Sequence, residues 1–118
     1  MITEEIAQAF ANNWIAAWNT HDLTQIISHY DEDVEYHSMF VKKLINDSTG
    51  AVKGKNNLKY YLARGLLAYP NLKFQLLNVF TGISSIVLQY QSVNNLVAAE
   101  TFEFNQQGLI RRVQCHYY

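Results

Sequence analysis

Apolar positions at the start of the chain recur at helical spacing. A good N-cap, Thr3, is followed by two acidic residues and then by apolar residues at every fourth position. Those four residues are Ile6, Phe10, Trp14 and Trp18. Side chains four positions apart share one face of a helix, so this pattern predicts a first helix with a continuous apolar stripe.

Two more helices are predicted before residue 70. The polar run Asn19–His21 ends the first helix, and Asp22 is a suitable cap for a second. The third starts near Asn56 and ends before Pro70. The apolar residues of these two helices are Leu23, Ile26, Ile27 and Tyr30 in the second and Leu58, Tyr61, Leu62 and Leu66 in the third.

The segment between the second and third helices alternates like a strand. In "DEDVEYHS", Val34, Tyr36 and Ser38 fall on one face, and Glu35 and His37 fall on the other. The acidic run 31–33 is expected in the turn before this strand rather than in a metal site, because acids are common in turns. Residues 39–54 are expected to form a loop containing two glycines.

From Leu72 onward apolar residues recur at every second position, which is the spacing of a β-strand. Four strand-like runs are separated by the turn signals Thr81-Gly82, Asn94-Asn95 and Gln107-Gly108. Short connections favour antiparallel neighbours. Helices followed by a mostly antiparallel sheet predict an α+β fold, in which a strongly curved sheet around a helix would leave a conical cavity.

A carboxylate interrupts the apolar face of one of these strands. Alternation in "LVAAETFEFNQQG" puts Glu100 in line with Ala98 and Phe102. Burying an unpaired carboxylate is costly, so Glu100 is expected either to lie in a pocket or to pair with Arg111 or Arg112 across the sheet.

Composition narrows the range of functions. With 118 residues, 49% of them hydrophobic, the chain is expected to form one domain over residues 1–118. A formal net charge of −1 argues against a nucleic-acid partner, and no apolar run suggests a membrane partner. No leader segment is visible, so a cytoplasmic location is expected. With a single cysteine and no metal-binding motif, neither a disulfide, a metal nor a cofactor is expected.

The order of elements and several motifs resemble a known superfamily. "WIAAWNTHDLTQIISHYDEDVEYHS", a helix ending at "YP", and "ETFEFNQQGLIRRV" resemble the nuclear transport factor 2-like superfamily, in particular its SnoaL-like and ketosteroid-isomerase-like branches. The resemblance implies a cone-shaped α+β barrel, with three N-terminal helices packed on the sheet. It also implies a homodimer formed through the polar outer sheet face, which carries Gln89, Gln91, Gln114, His116 and Tyr118.

Residue by residue, the isomerase pattern carries over only in part. The resemblance puts Trp14 where the family has its oxyanion-hole tyrosine and Ser38 where it has its general-base aspartate. Neither residue can perform the original task, since indole lacks an acidic hydroxyl and serine is not basic. Glu100 matches the second oxyanion donor, and Tyr30 matches a tyrosine of the hydrogen-bond network.

Three hypotheses about function follow. In the first, the protein binds a small apolar or aromatic ligand in a conical pocket. The predicted lining is Trp14, Trp18, Tyr30, Tyr36, Ser38, Glu100, Phe102, Val113 and Cys115. In the second, it is an isomerase, cyclase or dehydratase in which Glu100 is the acid or base. In the third, it is a non-catalytic dimerisation module whose side chains fill the cavity.

Individual residues keep more than one interpretation. The tryptophans could stack on a flat ligand or belong to the core. Cys115 is expected to be a small apolar filler rather than a nucleophile. His37 is expected on the outer surface, at a distance from catalysis.

Overall fold

A computed structural model describes all 118 residues and has four α-helices and six β-strands. In chain order these are α1 (Glu4–Asn19), α2 (Leu23–Ile27), β1 (Tyr30–His37), α3 (Met39–Ile45), β2 (Ala51–Lys53), α4 (Lys55–Ala68), β3 (Gln75–Thr81), β4 (Ser85–Gln91), β5 (Val97–Phe104) and β6 (Ile110–Tyr117). The predicted α+β class is confirmed.

The six strands form one curved sheet in the order β2-β1-β6-β5-β4-β3. Only β1 and β6 run parallel, and every other neighbouring pair is antiparallel, as predicted. The edge strands β2 and β3 do not pair with each other, so the cone is an open sheet wrapped around helices rather than a closed barrel.

Helix α1 begins and ends where the sequence predicts. The Thr3 hydroxyl accepts a hydrogen bond from the Ile6 amide at 3.1 Å and caps the helix. Its buried face is rotated from the predicted stripe and consists of Ala7, Ala11, Trp14, Ala17 and Trp18. Ile6 is 53% exposed, so the prediction that it belongs to the buried stripe is wrong. The three alanines have small side chains, which lets the helix backbone approach the sheet closely.

The region after α2 differs from the sequence-based expectation. Tyr30 is the first residue of β1, where it pairs with Ile110, and does not belong to α2. The acidic run 31–33 lies inside β1, beside a register irregularity, rather than in a turn. Residues 39–54 are not simply a loop, since they contain α3 and β2, so the chain has four helices instead of three.

The core fills the space between the helices and the concave face of the sheet. Inward-facing strand residues such as Leu88, Phe102 and Val113 have no solvent exposure. Alternate residues on the same strands, including Gln89 and Gln114, face outward as predicted. None of the helices is both long enough and apolar enough to cross a lipid bilayer.

Candidate functional site

Glu100 is a buried carboxyl at the centre of the sheet. It lies on β5 opposite Leu88 of β4 and Cys115 of β6, and its side chain is 2% exposed. The Tyr90 hydroxyl donates a hydrogen bond to Glu100 Oε1 at 2.6 Å. The alternation that put Glu100 on an apolar face is therefore confirmed.

The two arginines that could have neutralised Glu100 lie elsewhere. Arg112 bonds Glu103 at 3.4 Å and Glu35 at 3.8 Å on the outer face of the sheet. Arg111 is exposed. No salt bridge reaches Glu100, and its hydrogen-bond partners are the Tyr90 phenol and the Cys115 thiol.

This environment shifts the protonation equilibrium of the carboxyl. Burial raises the pKa of Glu100 to about 7, against the opposing effect of hydrogen bonds from Tyr90 and Cys115. A carboxyl with such a pKa is present in both protonation states near neutral pH. Perturbed carboxyls of this kind concentrate at functional sites.

Glu100 forms part of the wall of a cavity between the sheet, α3 and α4. The volume that the centre of a water molecule can occupy in this cavity is about 50 Å³. The empty volume is about 480 Å³ when the solvent at the open mouth is included. The lining residues are Trp18, Tyr36, Phe40, Leu44, Tyr61, Leu62, Gly65, Tyr69, Leu72, Phe74, Tyr90, Ser92, Val93, Glu100 and Tyr117. The inner part therefore holds a few water molecules or a few ligand atoms.

Four of the tyrosines that line the cavity, from four different elements, lie near enough to Glu100 for its charge to affect them. Tyr36 comes from β1, Tyr61 from α4, Tyr90 from β4 and Tyr117 from β6. Burial raises the pKa of each phenol above its ordinary value, and the nearby Glu100 raises it further. These hydroxyls therefore remain protonated at neutral pH and can donate hydrogen bonds.

Cys115 lies opposite Glu100 on the neighbouring strand and close to the Tyr36 hydroxyl. Its Sγ is 3.4 Å from the Tyr36 hydroxyl oxygen, within hydrogen-bond distance. Burial raises the pKa of the thiol well above its ordinary value, and Glu100 adds to this effect. The thiolate is the nucleophilic form, so a thiol held protonated is a poor nucleophile.

The structure divides the predicted lining residues into two groups. Trp18, Tyr36 and Glu100 line the cavity. Four of the other six form a packed layer of the core, while Ser38 caps α3 and Cys115 is only partly buried. That layer contains Trp14, Tyr30, Phe102 and Val113, each at most 1% exposed. Within it the Trp14 Nε1–H donates to the Tyr30 hydroxyl at 3.4 Å.

Ser38 has a structural task in this fold. It is the N-cap of α3, and its hydroxyl accepts a hydrogen bond from the Phe40 amide at 3.2 Å.

The neighbouring residue His37 points away from the cavity, and its Nε2 lies 3.1 Å from Glu35 Oε1. The predicted outward orientation of His37 is thus confirmed.

The residues that the sequence did not single out are those brought in by distant elements. The sequence predicts Tyr61 only as part of the apolar side of a helix and indicates no role for Tyr90. Phe40, Leu44 and Tyr69 reach the cavity because α3 packs against α4, and α3 was not predicted. The protein contains no group of three or more His, Cys, Asp or Glu side chains that could hold a metal ion.

Comparison with known proteins gives a consistent family. A family model described as a SnoaL-like domain matches residues 11–113. A SnoaL-like protein of unknown function from Burkholderia thailandensis E264 is 31% identical, with a TM-score of 0.94 over 99% of this chain and 98% of that one. No curated protein matches the sequence.

Two more distant solved structures share the fold. A nuclear transport factor 2-like protein of unknown function from Cytophaga hutchinsonii is 13% identical, with a TM-score of 0.74 over 100% of this chain and 95% of that one. SalBIII, an epoxide hydrolase/cyclase-like enzyme of pyran ring formation in the polyether salinomycin, is 12% identical. Its TM-score is 0.77 over 100% of this chain and 95% of that one.

Proposed function

The chain belongs to the SnoaL-like domain family of the nuclear transport factor 2-like superfamily, and we propose that it binds a small, largely apolar molecule and exchanges a proton with it through Glu100. One observation carries this proposal. A carboxyl without a cationic partner is buried in a cavity wall and hydrogen-bonded to Tyr90 at 2.6 Å. Stability alone does not favour such an arrangement, because an ionised carboxyl is costly to bury.

The protonation state of Glu100 suits acid–base chemistry. General acid–base catalysis is most efficient when the pKa of the catalytic group lies near the working pH. The pKa of about 7 lets Glu100 accept a proton and return it in the same turnover. The relative SalBIII is named as an epoxide hydrolase/cyclase-like enzyme, so this scaffold also carries catalysis elsewhere in the superfamily.

Removing a proton from carbon also requires a hydrogen-bond donor for the oxygen that becomes negatively charged, and the tyrosines would supply that donor. The Glu100 carboxylate would remove a proton from the carbon next to a carbonyl, and the released electron pair would move to the carbonyl oxygen. A phenol O–H from Tyr36, Tyr61 or Tyr117 would stabilise the resulting enolate oxygen by donating a hydrogen bond. If Glu100 returns the proton to a different carbon, the product is an isomer. If it returns a proton to the original carbon, the result is hydrogen exchange with the solvent.

The dimensions of the cavity restrict the ligand. The inner space of about 50 Å³ admits only a few non-hydrogen atoms, and a larger molecule would extend toward the open mouth. Most of the lining is apolar and aromatic, with Phe40, Phe74 and Leu62 among its members. A small ring or short chain carrying one oxygen group fits this combination of size and polarity.

Hydrogen–deuterium exchange of cyclohexanone tests the proposal. In D2O, the protein should accelerate deuteration of the carbons next to the carbonyl, as followed by proton NMR. Glu100→Gln should reduce the protein-dependent rate by about 10²–10⁴-fold, the usual contribution of a positioned base. Glu103→Gln is the matched control, since it removes a carboxylate on the outer face of the same strand. Equal rates for both variants would refute the proposed role of Glu100.

A second candidate function is a non-catalytic dimerisation module. The small inner volume of about 50 Å³ favours it, because little free space is left for a ligand inside the cone. The outer sheet face, with Gln89, Gln114 and His116, would form an isologous contact between two copies. Absence of cyclohexanone exchange, together with a stable dimer in sedimentation, would support this candidate.

A further inference from the structure

One buried polar atom in the molecule has no hydrogen-bond partner. It is Nε1 of Trp18, and it is the single buried side-chain nitrogen or oxygen in this condition. Buried donors in proteins almost always have an acceptor, because an unmade hydrogen bond to a desolvated N–H is costly. An exception of this kind calls for a physical explanation.

The preceding turn of the same helix provides a direct comparison. Trp14 is also buried, and its Nε1–H donates to the Tyr30 hydroxyl at 3.4 Å. The fold thus provides an acceptor for the tryptophan that belongs to the core. It provides none for Trp18, which lines the cavity together with Glu100.

The position of Trp18 relative to the other lining groups is fixed by aromatic packing. Its ring centroid lies 5.3 Å from that of Phe74, and Phe74 in turn lies 4.7 Å from Tyr90. Tyr90 bonds Glu100 directly. Trp18 and the carboxyl therefore belong to one wall of the same cavity.

We propose that the Trp18 Nε1–H donates a hydrogen bond to a neutral oxygen of the ligand, so that the ligand is a carbonyl, ether or hydroxyl compound rather than a hydrocarbon. This inference rests on the proposed function in assuming that the ligand occupies this cavity. A neutral acceptor is specified because Glu100, in its ionised form, would repel a carboxylate or phosphate in the same small space. Trp18 is then a positioning residue for the oxygen, while Glu100 faces the carbon skeleton.

The indole N–H can be observed directly by NMR. The chain has two tryptophans, so a ¹⁵N-labelled sample should give two indole cross-peaks, and Trp18→Phe assigns them. Cyclohexanone and methylenecyclohexane are suitable probes, since they have nearly the same shape and only cyclohexanone has an oxygen acceptor. Cyclohexanone should shift the Trp18 indole proton downfield, methylenecyclohexane should shift it much less, and the Trp14 cross-peak should move little with either.

Two outcomes would overturn the inference. One is a Trp18 cross-peak that does not move at cyclohexanone concentrations up to about 50 mM, which covers millimolar dissociation constants. The other is an equal shift with both probes, which would indicate ring contact without a hydrogen bond. Both titrations use the unmodified protein, and the Trp18→Phe variant serves only to assign the two cross-peaks.

Affinity of the Trp18→Phe variant gives an independent test. It should bind cyclohexanone about three- to tenfold more weakly, as expected for the loss of one hydrogen bond, with little change for methylenecyclohexane. Equal weakening for both probes would mean that only packing was lost, and would contradict the inference.

The outcome for Trp18 is separable from the outcome for Glu100. A Trp18 shift without deuterium exchange supports the oxygen-binding role and refutes catalysis. Glu100-dependent exchange without a Trp18 shift supports catalysis and refutes the role of Trp18.

Discussion

Replacing Glu100 by glutamine should stabilise the protein at neutral and alkaline pH. Glutamine has nearly the shape of a protonated glutamic acid, and its side-chain oxygen can still accept the hydrogen bond from Tyr90. The substitution therefore removes the charge while largely preserving the packing. Since no cation lies against Glu100, no attractive charge interaction is lost with it.

The expected magnitude follows from the shift in pKa. The pKa of Glu100 rises from an unfolded-state value of 4.5 to about 7 in the folded protein. Between these values the folded state binds one proton more than the unfolded state, so stability falls as pH rises through this window. Each pKa unit corresponds to about 1.36 kcal/mol, so the full difference is about 3 kcal/mol above pH 7. Near pH 5 it should be less than about 1 kcal/mol.

Urea denaturation at about pH 5 and about pH 8, followed by tryptophan fluorescence, measures this difference. The Glu100→Gln variant should be more stable than wild type by about 3 kcal/mol at the higher pH, with the advantage shrinking on acidification. Glu103→Gln is the control and should change stability by less than about 1 kcal/mol, because Glu103 forms a partly exposed salt bridge. A Glu100→Gln variant less stable than wild type at pH 8 would refute the reasoning.

Three other predictions concern the hydrogen bonds and surfaces of the fold. Tyr90→Phe removes the bond that lowers the pKa of Glu100, so that pKa should rise further above 7, as an NMR titration would detect. Ser38→Ala should cost about 1 kcal/mol in urea denaturation through loss of the α3 cap, and neither it nor wild type should isomerise an enone steroid. The chain should sediment as a homodimer at tens of micromolar, a rough range for such contacts; a stable monomer would contradict this.

Much of the fold follows from local patterns in the sequence. Caps at Thr3 and Asp22 define helix starts, and both side chains accept the expected amide hydrogen bonds. The two-residue period after Leu72 predicts four strands in the order and orientation that the structure has. These features depend on interactions between residues close in sequence, and for that reason they can be predicted without tertiary information.

Helix α3 is not predicted, although the sequence contains signals for it. Ser38 is an acceptable N-cap, and Phe40 and Leu44, four residues apart, lie on one helical face. The helix has seven residues, less than two turns beyond its cap, and the glycines after it favoured a loop interpretation. Its stability comes from packing against α4, which depends on tertiary structure.

The composition of the site was predictable only in part. Glu100 could be identified because a charge interrupts an apolar strand face. Tyr90 could not be placed beside it, because that contact depends on the register of β4 against β5, which pairs Leu88 with Glu100. Trp14 was expected at the ligand but lies in the core, since the rotation of α1 depends on its three buried alanines.

The central claim is that Glu100 is an unpaired pocket carboxyl whose proton is exchangeable near neutral pH. A ¹³C NMR titration of the side-chain carboxyls, with the Glu100 signal assigned by its loss in Glu100→Gln, tests this most directly. The account predicts a midpoint near pH 7 for that signal, as burial of the carboxyl requires. A midpoint close to the ordinary glutamate value of 4.5 would contradict it.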